Sequence, residues 1–167
     1  MFLMETPFPE AYWVEPGLLL AGAYAGQRWA HIADTNVPLL LKTGVRLFID
    51  LTEEGEGLSY ADQLGEQALY QRMPIPDHDA PSPAMMRAIL NQIDRAIRQQ
   101  QCVYVHCMAG LGRTGTVIGC YLARQGISGS EALDMLWKLR ARTSSSRSPS
   151  PETEAQRWMV LHWPEGW

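Results

Sequence analysis

The run from Val103 to Gly115 constrains the fold more than any other part of the chain. Val103-Tyr104-Val105 is β-branched and aromatic, which is typical of a buried strand. Glycines interrupt the next few residues, and an apolar pattern with helical spacing begins after Thr114-Gly115. This order predicts a strand, a tight loop and the N-terminus of a helix. Inward-pointing N–H groups in such a loop form a cradle that suits a phosphate-sized dianion.

A thiol and a guanidinium lie in that predicted cradle. The loop amides and the charge of Arg113 would stabilise Cys107 as a thiolate, the form that attacks phosphorus. The planar fork of Arg113 matches two phosphoryl oxygens, and the Thr114 hydroxyl can donate to the sulfur as it leaves. We therefore predict a cysteine-dependent phosphatase. Cys107, Arg113 and Thr114 would be catalytic, and the phosphoryl group would bind to Met108, Ala109, Gly110, Leu111, Gly112 and Arg113.

The glycines and the histidine of this loop have separate expected roles. Gly110 and Gly112 would adopt positive φ so that the amides turn inward, and Gly115 would allow close packing at the helix start. His106 is expected to hold the loop by hydrogen bonds rather than to act as a base.

Phosphoryl transfer also needs a proton for the leaving oxygen. Asp77 and Asp79 lie in a proline-rich loop that we place at the same edge of the sheet, and either carboxyl group can supply it. Ile75-Pro76 stiffens the approach to Asp77, so Asp77 is the preferred general acid and Asp79 stays the alternative.

Strands alternate with helices along the chain, which predicts an α/β fold with a mainly parallel sheet. Ligands in such sheets bind at the carboxyl ends of the strands. The first seventeen residues are expected to be an irregular arm, and Thr143 to Pro151 an exposed loop. The predicted strands are Leu18–Ala21, Val45–Leu51, Leu69–Pro74 and Val103–His106. The predicted helices are Val37–Thr43, Ser59–Ala68, one capped by Ser82, one from Arg113 to Gly126, one opened by Ser128 and Glu131, and one from about Glu152 to His162.

Composition narrows the class of protein. The chain has 167 residues and a net charge of −4, from 14 basic and 18 acidic side chains, so a basic nucleic-acid-binding face is not expected. We expect one phosphatase domain over residues 1–167, acting as a monomer. No signal peptide or membrane segment is evident, which favours the cytoplasm. Three cysteines argue against a disulfide scaffold, and neither they nor the scattered His31, His78, His106 and His162 show the spacing of a metal site.

The motif His106-Cys107-x5-Arg113-Thr114-Gly115 resembles the signature of the protein-tyrosine phosphatase superfamily. Tyr12-Trp13-Val14, Phe48-Ile49-Asp50-Leu51-Thr52, Pro74-Ile75-Pro76-Asp77 and Arg147-Ser148-Pro149 extend the similarity to small atypical dual-specificity phosphatases and their bacterial relatives. The resemblance implies a three-layer fold with a central sheet of four or five strands. It also implies a phosphocysteine intermediate formed without metal or cofactor. It places the acid about thirty residues before the nucleophile, which favours Asp77, and implies that Gln156 orients the hydrolytic water.

The substrate stays open at this stage. The segment that recognises phosphotyrosine in large tyrosine-specific enzymes is not evident, so we expect a shallow pocket that also admits phosphoserine and phosphothreonine. Met108 to Gly112 carry no charge, which argues against a highly anionic inositol phosphate. A small non-protein phosphate ester and a phosphate-binding module without turnover are the alternatives. Cys102 and Cys120 would serve as buried small hydrophobes, or less plausibly trap an oxidised Cys107.

Overall fold

A five-stranded sheet organises the protein in the computed structural model, which describes residues 4–29 and 35–167. The strands are β1 (Tyr12–Glu15), β2 (Leu19–Gly22), β3 (Val45–Asp50), β4 (Leu69–Arg72) and β5 (Cys102–His106). Their order is β1-β2-β5-β3-β4, with β1 antiparallel to β2 and the other neighbours parallel. The predicted mainly parallel sheet is therefore confirmed, and β5 occupies its centre.

Helices cover both faces of the sheet, as the three-layer expectation requires. They are α1 (Val37–Thr43), α2 (Ala61–Leu64), α3 (Pro83–Arg98), α4 (Gly112–Arg124), α5 (Gly129–Leu139) and α6 (Glu154–His162). Side chains of α3 to α6 form one core with Val103 and Val105, whereas α1 and α2 pack on the opposite face with Tyr104. The alternation of β5 residues between the two cores follows from the twofold repeat of a strand. Among the described residues, no helix is both long and apolar enough to cross a membrane.

Local signals set most of the helix boundaries. Ser82 accepts a hydrogen bond from the Met85 N–H, so α3 begins at Pro83 as predicted. Ser128 and Glu131 form the predicted capping box of α5. Gly44, at φ 106°, ends α1 in the left-handed conformation that glycine adopts readily.

Three parts of the secondary-structure prediction were wrong. The arm is not irregular throughout, because Tyr12–Glu15 form an edge strand whose Tyr12 pairs with Ala21 of β2. The helix expected over Ser59–Ala68 is limited to α2, since the chain turns at Gly65 with φ 53°. The strand expected to reach Pro74 stops at Arg72.

The segment from Thr143 to Pro151 is also not simply an exposed loop. Arg140, at the end of α5, is buried, and its guanidinium donates to the carbonyl oxygens of Ser145 (2.8 Å) and Ser148 (3.2 Å). Thr143 and Pro151 are buried as well. The segment is therefore an ordered turn that winds around a buried cation, which a composition rich in serine and proline does not reveal.

Candidate active site

The loop between β5 and α4 lies at the carboxyl end of the central strand. Its path brings Gly110 against β2, where a Cβ atom would lie 2.5 Å from the carbonyl carbon of Gly22. Gly110 has φ 76°, so both its conformation and the close approach require glycine. The Tyr24 N–H donates to the Met108 carbonyl at 3.0 Å and fixes the other side of the loop. Met108 and Gly110, the residues at these two anchors, both belong to the stretch that we predicted to bind phosphate.

Gly112 corrects one expectation about the loop. It is not among the described glycines that adopt positive φ, so the expected backbone conformation does not explain why a glycine occupies this position. A Cβ atom at this position would overlap a carboxylate oxygen of Glu152 and lie 3.1 Å from the side-chain amide of Gln156. The first turn of α4 therefore packs closely at Gly112 against the side chains of residues around the start of α6. Gly115 packs as expected, against Ser150 and Pro151.

Cys107 follows β5 directly and is 3% exposed. The Thr114 hydroxyl donates to its sulfur, with Oγ1 and Sγ 3.0 Å apart. A hydroxyl donor at this distance stabilises negative charge on sulfur more than it stabilises the neutral thiol. The structure thus brings together the predicted nucleophile and the residue predicted to assist its departure.

Arg113 is 1% exposed, and its guanidinium is held along one edge. Nη1 and Nη2 donate to the two carboxylate oxygens of Glu56, each at 2.8 Å, and Nη1 also donates to the Ile75 carbonyl at 3.0 Å. The hydrogen bonds from Arg113 keep the pKa of Glu56 below its usual value. Nε is buried and has no hydrogen-bond partner within residues 4–29 and 35–167. The other edge, formed by Nε and Nη2, can bind a second bidentate acceptor, beside Asp77, which lies near Nη2.

The loop from Pro76 to Ala80, called here the 76–80 loop, reaches the same guanidinium. Oδ1 of Asp77 lies 3.2 Å from Arg113 Nη2, and the Asp77 side chain is 53% exposed. Asp79 instead accepts a hydrogen bond from the Ala80 N–H at 2.8 Å, within its own turn. Of the two candidate acids, Asp77 is thus the one in contact with the predicted phosphate-binding arginine.

His106 lies in an aromatic cluster behind the loop. Nδ1 donates to the Cys107 carbonyl at 2.9 Å, and Nε2 lies 2.5 Å from the Tyr60 hydroxyl, with Tyr104 stacked on the ring. Burial lowers the pKa of His106 and raises that of Tyr60 well above its usual value. The imidazole is therefore neutral with its proton on Nδ1, and Tyr60 donates to Nε2. These contacts support the carbonyl of Cys107 and leave no ring nitrogen for substrate.

Gln156, at the start of α6, is fully buried and uses both ends of its amide. Oε1 accepts from the N–H groups of Glu152 and Thr153, each at 3.1 Å. Nε2 donates to the carbonyl of Asp79 at 3.1 Å. The residue expected to orient water is thus bonded to three backbone groups, one of them in the 76–80 loop.

Sequence reasoning missed Glu56 and Ser150. Glu56 belongs to the acidic run Glu53-Glu54-Gly55-Glu56-Gly57, which we assigned only as a loop. Its position after β3, at the carboxyl edge of the sheet, was the available signal. Ser150 donates to the Leu111 carbonyl at 2.6 Å and so braces the loop, but its serine-rich surroundings gave no such signal.

Two further cavities do not include the candidate catalytic side chains. Cavities of about 540 and 530 Å³ flank α5, and neither is lined by Cys107, Arg113 or Asp77. Cys102 and Cys107 are five residues apart along an extended strand, a separation of about 16 Å that no disulfide spans. Burial raises the pKa of Cys102 to about 11 and that of Cys120 further still. His31, named above among the scattered histidines, lies outside the described residues.

Comparison with known proteins identifies relatives of this chain. The family model described as "Polymorphic toxin system, DSP-PTPase phosphatase" matches residues 21–127. Human dual specificity protein phosphatase 7 is 28% identical over 142 residues, covering 83% of this chain and 32% of the relative. The Arabidopsis thaliana protein named phosphatidylinositol 3,4,5-trisphosphate 3-phosphatase and protein-tyrosine-phosphatase PTEN1 is 32% identical over 94 residues. These residues cover 54% of this chain and 23% of that protein, so the chain spans less than a third of either curated relative.

Solved structures share the fold over nearly the whole chain. Tk-PTP in its active form superposes with a TM-score of 0.76 at 26% identity, covering 92% of this chain and 95% of that one. TpbA from P. aeruginosa, in complex with pTyr, gives a TM-score of 0.70 at 18% identity, covering 96% and 88%. At that identity the second similarity concerns the fold alone.

Proposed function

The chain belongs to the DSP-PTPase phosphatase family of polymorphic toxin systems, and from that premise we propose that it is a cysteine-dependent phosphatase. The observation that carries the proposal is the pairing of two groups in one loop. The sulfur of Cys107 accepts a hydrogen bond from Thr114, and the buried Arg113 keeps its Nε–Nη2 edge for an acceptor other than Glu56. A nucleophile and a bidentate oxyanion donor are the two parts that phosphoryl transfer from a monoester requires.

In the first step, the Cys107 thiolate attacks phosphorus. The S–P bond forms as the P–O bond to the leaving group breaks, which gives a phosphocysteine intermediate. Asp77, protonated at the start, donates its proton to the departing oxygen. Arg113 and the loop amides bind the three non-bridging oxygens, and their contacts strengthen as those oxygens spread into a plane in the transition state.

In the second step, water attacks the phosphorus of phosphocysteine. Asp77, now a carboxylate, accepts the proton of the water, and the S–P bond breaks to release inorganic phosphate and the thiolate. The Thr114 hydroxyl lies 3.0 Å from the sulfur and stabilises the charge that returns to it. One carboxyl group thus serves as acid and then as base, and the cycle closes with Cys107 and Asp77 in their starting protonation states.

We propose phosphotyrosine, with phosphoserine and phosphothreonine, as the substrate class. No side chain from Met108 to Gly112 carries a charge, so the loop offers no added cation for a polyphosphorylated inositol ring. Similarity to relatives named dual specificity phosphatases supports the same class. A small non-protein phosphate ester is the alternative that substrate profiling would reveal.

We also propose that residues 1–167 act as one monomeric phosphatase domain in the cytoplasm. The three cysteines, Cys102, Cys107 and Cys120, are all free thiols, which supports a reducing compartment. Size-exclusion chromatography with light scattering tests the monomer, and immunolocalisation in the source cell tests the compartment.

Hydrolysis of an aryl phosphate and of phosphotyrosine, phosphoserine and phosphothreonine peptides tests the activity. Cys107→Ser should abolish turnover of every substrate and still bind the phosphopeptides, because the loop amides and Arg113 remain. Full turnover by this variant, or binding by the wild type with no release of phosphate, would overturn the proposal.

The role of Asp77 has its own control. Asp77→Asn should slow alkyl phosphates more than aryl phosphates, because a poor leaving group depends more on protonation. Asp79→Asn provides the matched control. Equal effects of the two variants, or no dependence on the leaving group, would remove Asp77 from the role.

A further inference from the structure

Gln156 uses both acceptor positions of Oε1 and one of the two N–H donors of Nε2 to bind backbone groups. A backbone N–H only donates and a carbonyl only accepts, so the orientation of the amide follows from its partners. Oε1 accepts the N–H groups of Glu152 and Thr153, and Nε2 donates to the carbonyl of Asp79. The side chain is fully buried, so leaving these partners would leave its own amide group without hydrogen bonds in the interior.

We propose that Gln156 is a positioning residue that holds the 76–80 loop, and thereby Asp77, against the loop between β5 and α4. The proposal rests on the proposed function, in which Asp77 is the proton donor. Asp79 is two residues from Asp77, and its carbonyl is the point at which the Gln156 amide holds the loop. Fixing that point limits how far the Asp77 carboxyl group can move from Arg113, which it meets at 3.2 Å.

His78 lies between the 76–80 loop and the residues just before α6. It has φ 60°, a left-handed conformation that is unusual for a residue with a side chain and that persists when surrounding contacts hold it. Its N–H donates to Asp77 Oδ1 at 3.0 Å, and its ring lies 3.5 Å from Asp77 Oδ2 and 4.0 Å from Glu152 Oε2. The ring therefore lies between Asp77 and Glu152, and the N–H of Glu152 donates to Gln156.

Gly112 marks the point where these segments come close together. Side-chain atoms of Glu152 and Gln156 both lie against its α-carbon. The start of α4 and the start of α6 therefore meet at Gly112, and the 76–80 loop joins them through the Gln156 amide. A positioning role predicts that Gln156 affects the step in which Asp77 donates a proton, whereas a water-orienting role predicts an effect on hydrolysis of phosphocysteine.

Gln156→Glu separates the two roles. The carboxylate still accepts from the N–H groups of Glu152 and Thr153, but it has no donor for the Asp79 carbonyl. In stopped-flow measurements we expect release of the leaving group to slow by about 10- to 100-fold for alkyl phosphates and less for aryl phosphates, because the acid is misplaced. We expect no burst and no accumulated phosphocysteine. Gln67→Glu, the same change at an exposed position, should behave as the wild type.

The double variant with Asp77→Asn gives the second readout. If Gln156 acts through Asp77, the double variant should be no slower than Asp77→Asn alone. A burst followed by slow turnover, or multiplied effects in the double variant, would overturn the proposal. Absence of phosphatase activity in the wild type would instead refute the proposed function itself.

His78→Ala keeps the test decisive if the buried substitution prevents folding. The His78 side chain is 67% exposed, so its removal leaves the core intact. We expect faster amide hydrogen exchange across the 76–80 loop and a smaller slowing with the same dependence on the leaving group. Unchanged exchange and unchanged kinetics in this variant would contradict the role of the His78 ring in holding the loop.

Discussion

Glu56→Gln replaces one of the two carboxylate oxygens that accept hydrogen bonds from Arg113. A glutamine at this position keeps one oxygen to accept from the guanidinium, but its NH2 group would face a second N–H donor. The guanidinium then keeps one side-chain oxygen and the Ile75 carbonyl as acceptors, and its orientation is held less firmly. The change alters neither the nucleophile nor the acid, so any loss of activity reports on the orientation of Arg113.

The size of the effect follows from the contacts. Each Arg113–Glu56 hydrogen bond is 2.8 Å long and charge-assisted, a class of bond that contributes about 1.5–3 kcal/mol. Glu56 is partly exposed, so solvent screening favours the lower end of this range. Loss of about 1.5 kcal/mol in the transition state corresponds to roughly a tenfold fall in kcat/KM.

Steady-state kinetics with an aryl phosphate, together with phosphate binding to the Cys107→Ser protein, measure this effect. We expect Glu56→Gln to lower both kcat/KM and phosphate affinity, whereas Glu54→Gln, an exposed change in the same loop, should alter neither. Unchanged kcat/KM would show that the ion pair is incidental. Increased phosphate affinity would show that Glu56 competes with substrate for Arg113, and the reasoning would be refuted.

Three further predictions concern the loop and its support. Thr114→Val removes the donor to the Cys107 sulfur, so breakdown of phosphocysteine should slow by about tenfold; rapid-quench measurements should then show a burst, and unchanged turnover would exclude the role. Gly110→Ala forces a side chain into φ 76° and against Gly22, so urea denaturation should show a loss of at least about 2 kcal/mol; full stability would contradict the close approach. Burial depresses the pKa of His106 below 6.5 in the folded protein. As the pH falls, His106 therefore takes up a proton in the unfolded chain before it does so in the folded one. The unfolding free energy should therefore fall as the pH drops from about 6.5 towards 5, and His106→Gln should flatten this dependence; an unchanged slope in that variant would assign the proton to another group.

The sequence was sufficient where the determining interactions are local. The strand–loop–helix pattern around Cys107, the Ser82 cap and the Ser128–Glu131 capping box all depend on neighbours within a few residues, and the structure confirms each of these elements. The preference for Asp77 over Asp79 agrees with its contact to Arg113, although its role as acid is still a prediction.

Tertiary contacts account for what the sequence could not predict. Glu56 lies in an acidic, glycine-rich run that reads as a solvated loop, and only the packing of that loop brings it to Arg113, 57 residues away in the chain. The partners of Gln156 depend in the same way on where the 76–80 loop docks. The edge strand β1 is short and lies between prolines, so its pairing with β2 rather than its composition defines it.

The buried Arg140 has a consequence for how the chain tolerates change. The segment from Thr143 to Pro151 has the composition of a flexible tether, the kind of sequence where proteases cut and insertions are accepted. Here the backbone is fastened to a guanidinium in the interior, and its far end supports Leu111 through Ser150. Nicking or lengthening this segment should therefore abolish the proposed phosphatase activity, and the native protein should resist limited digestion there.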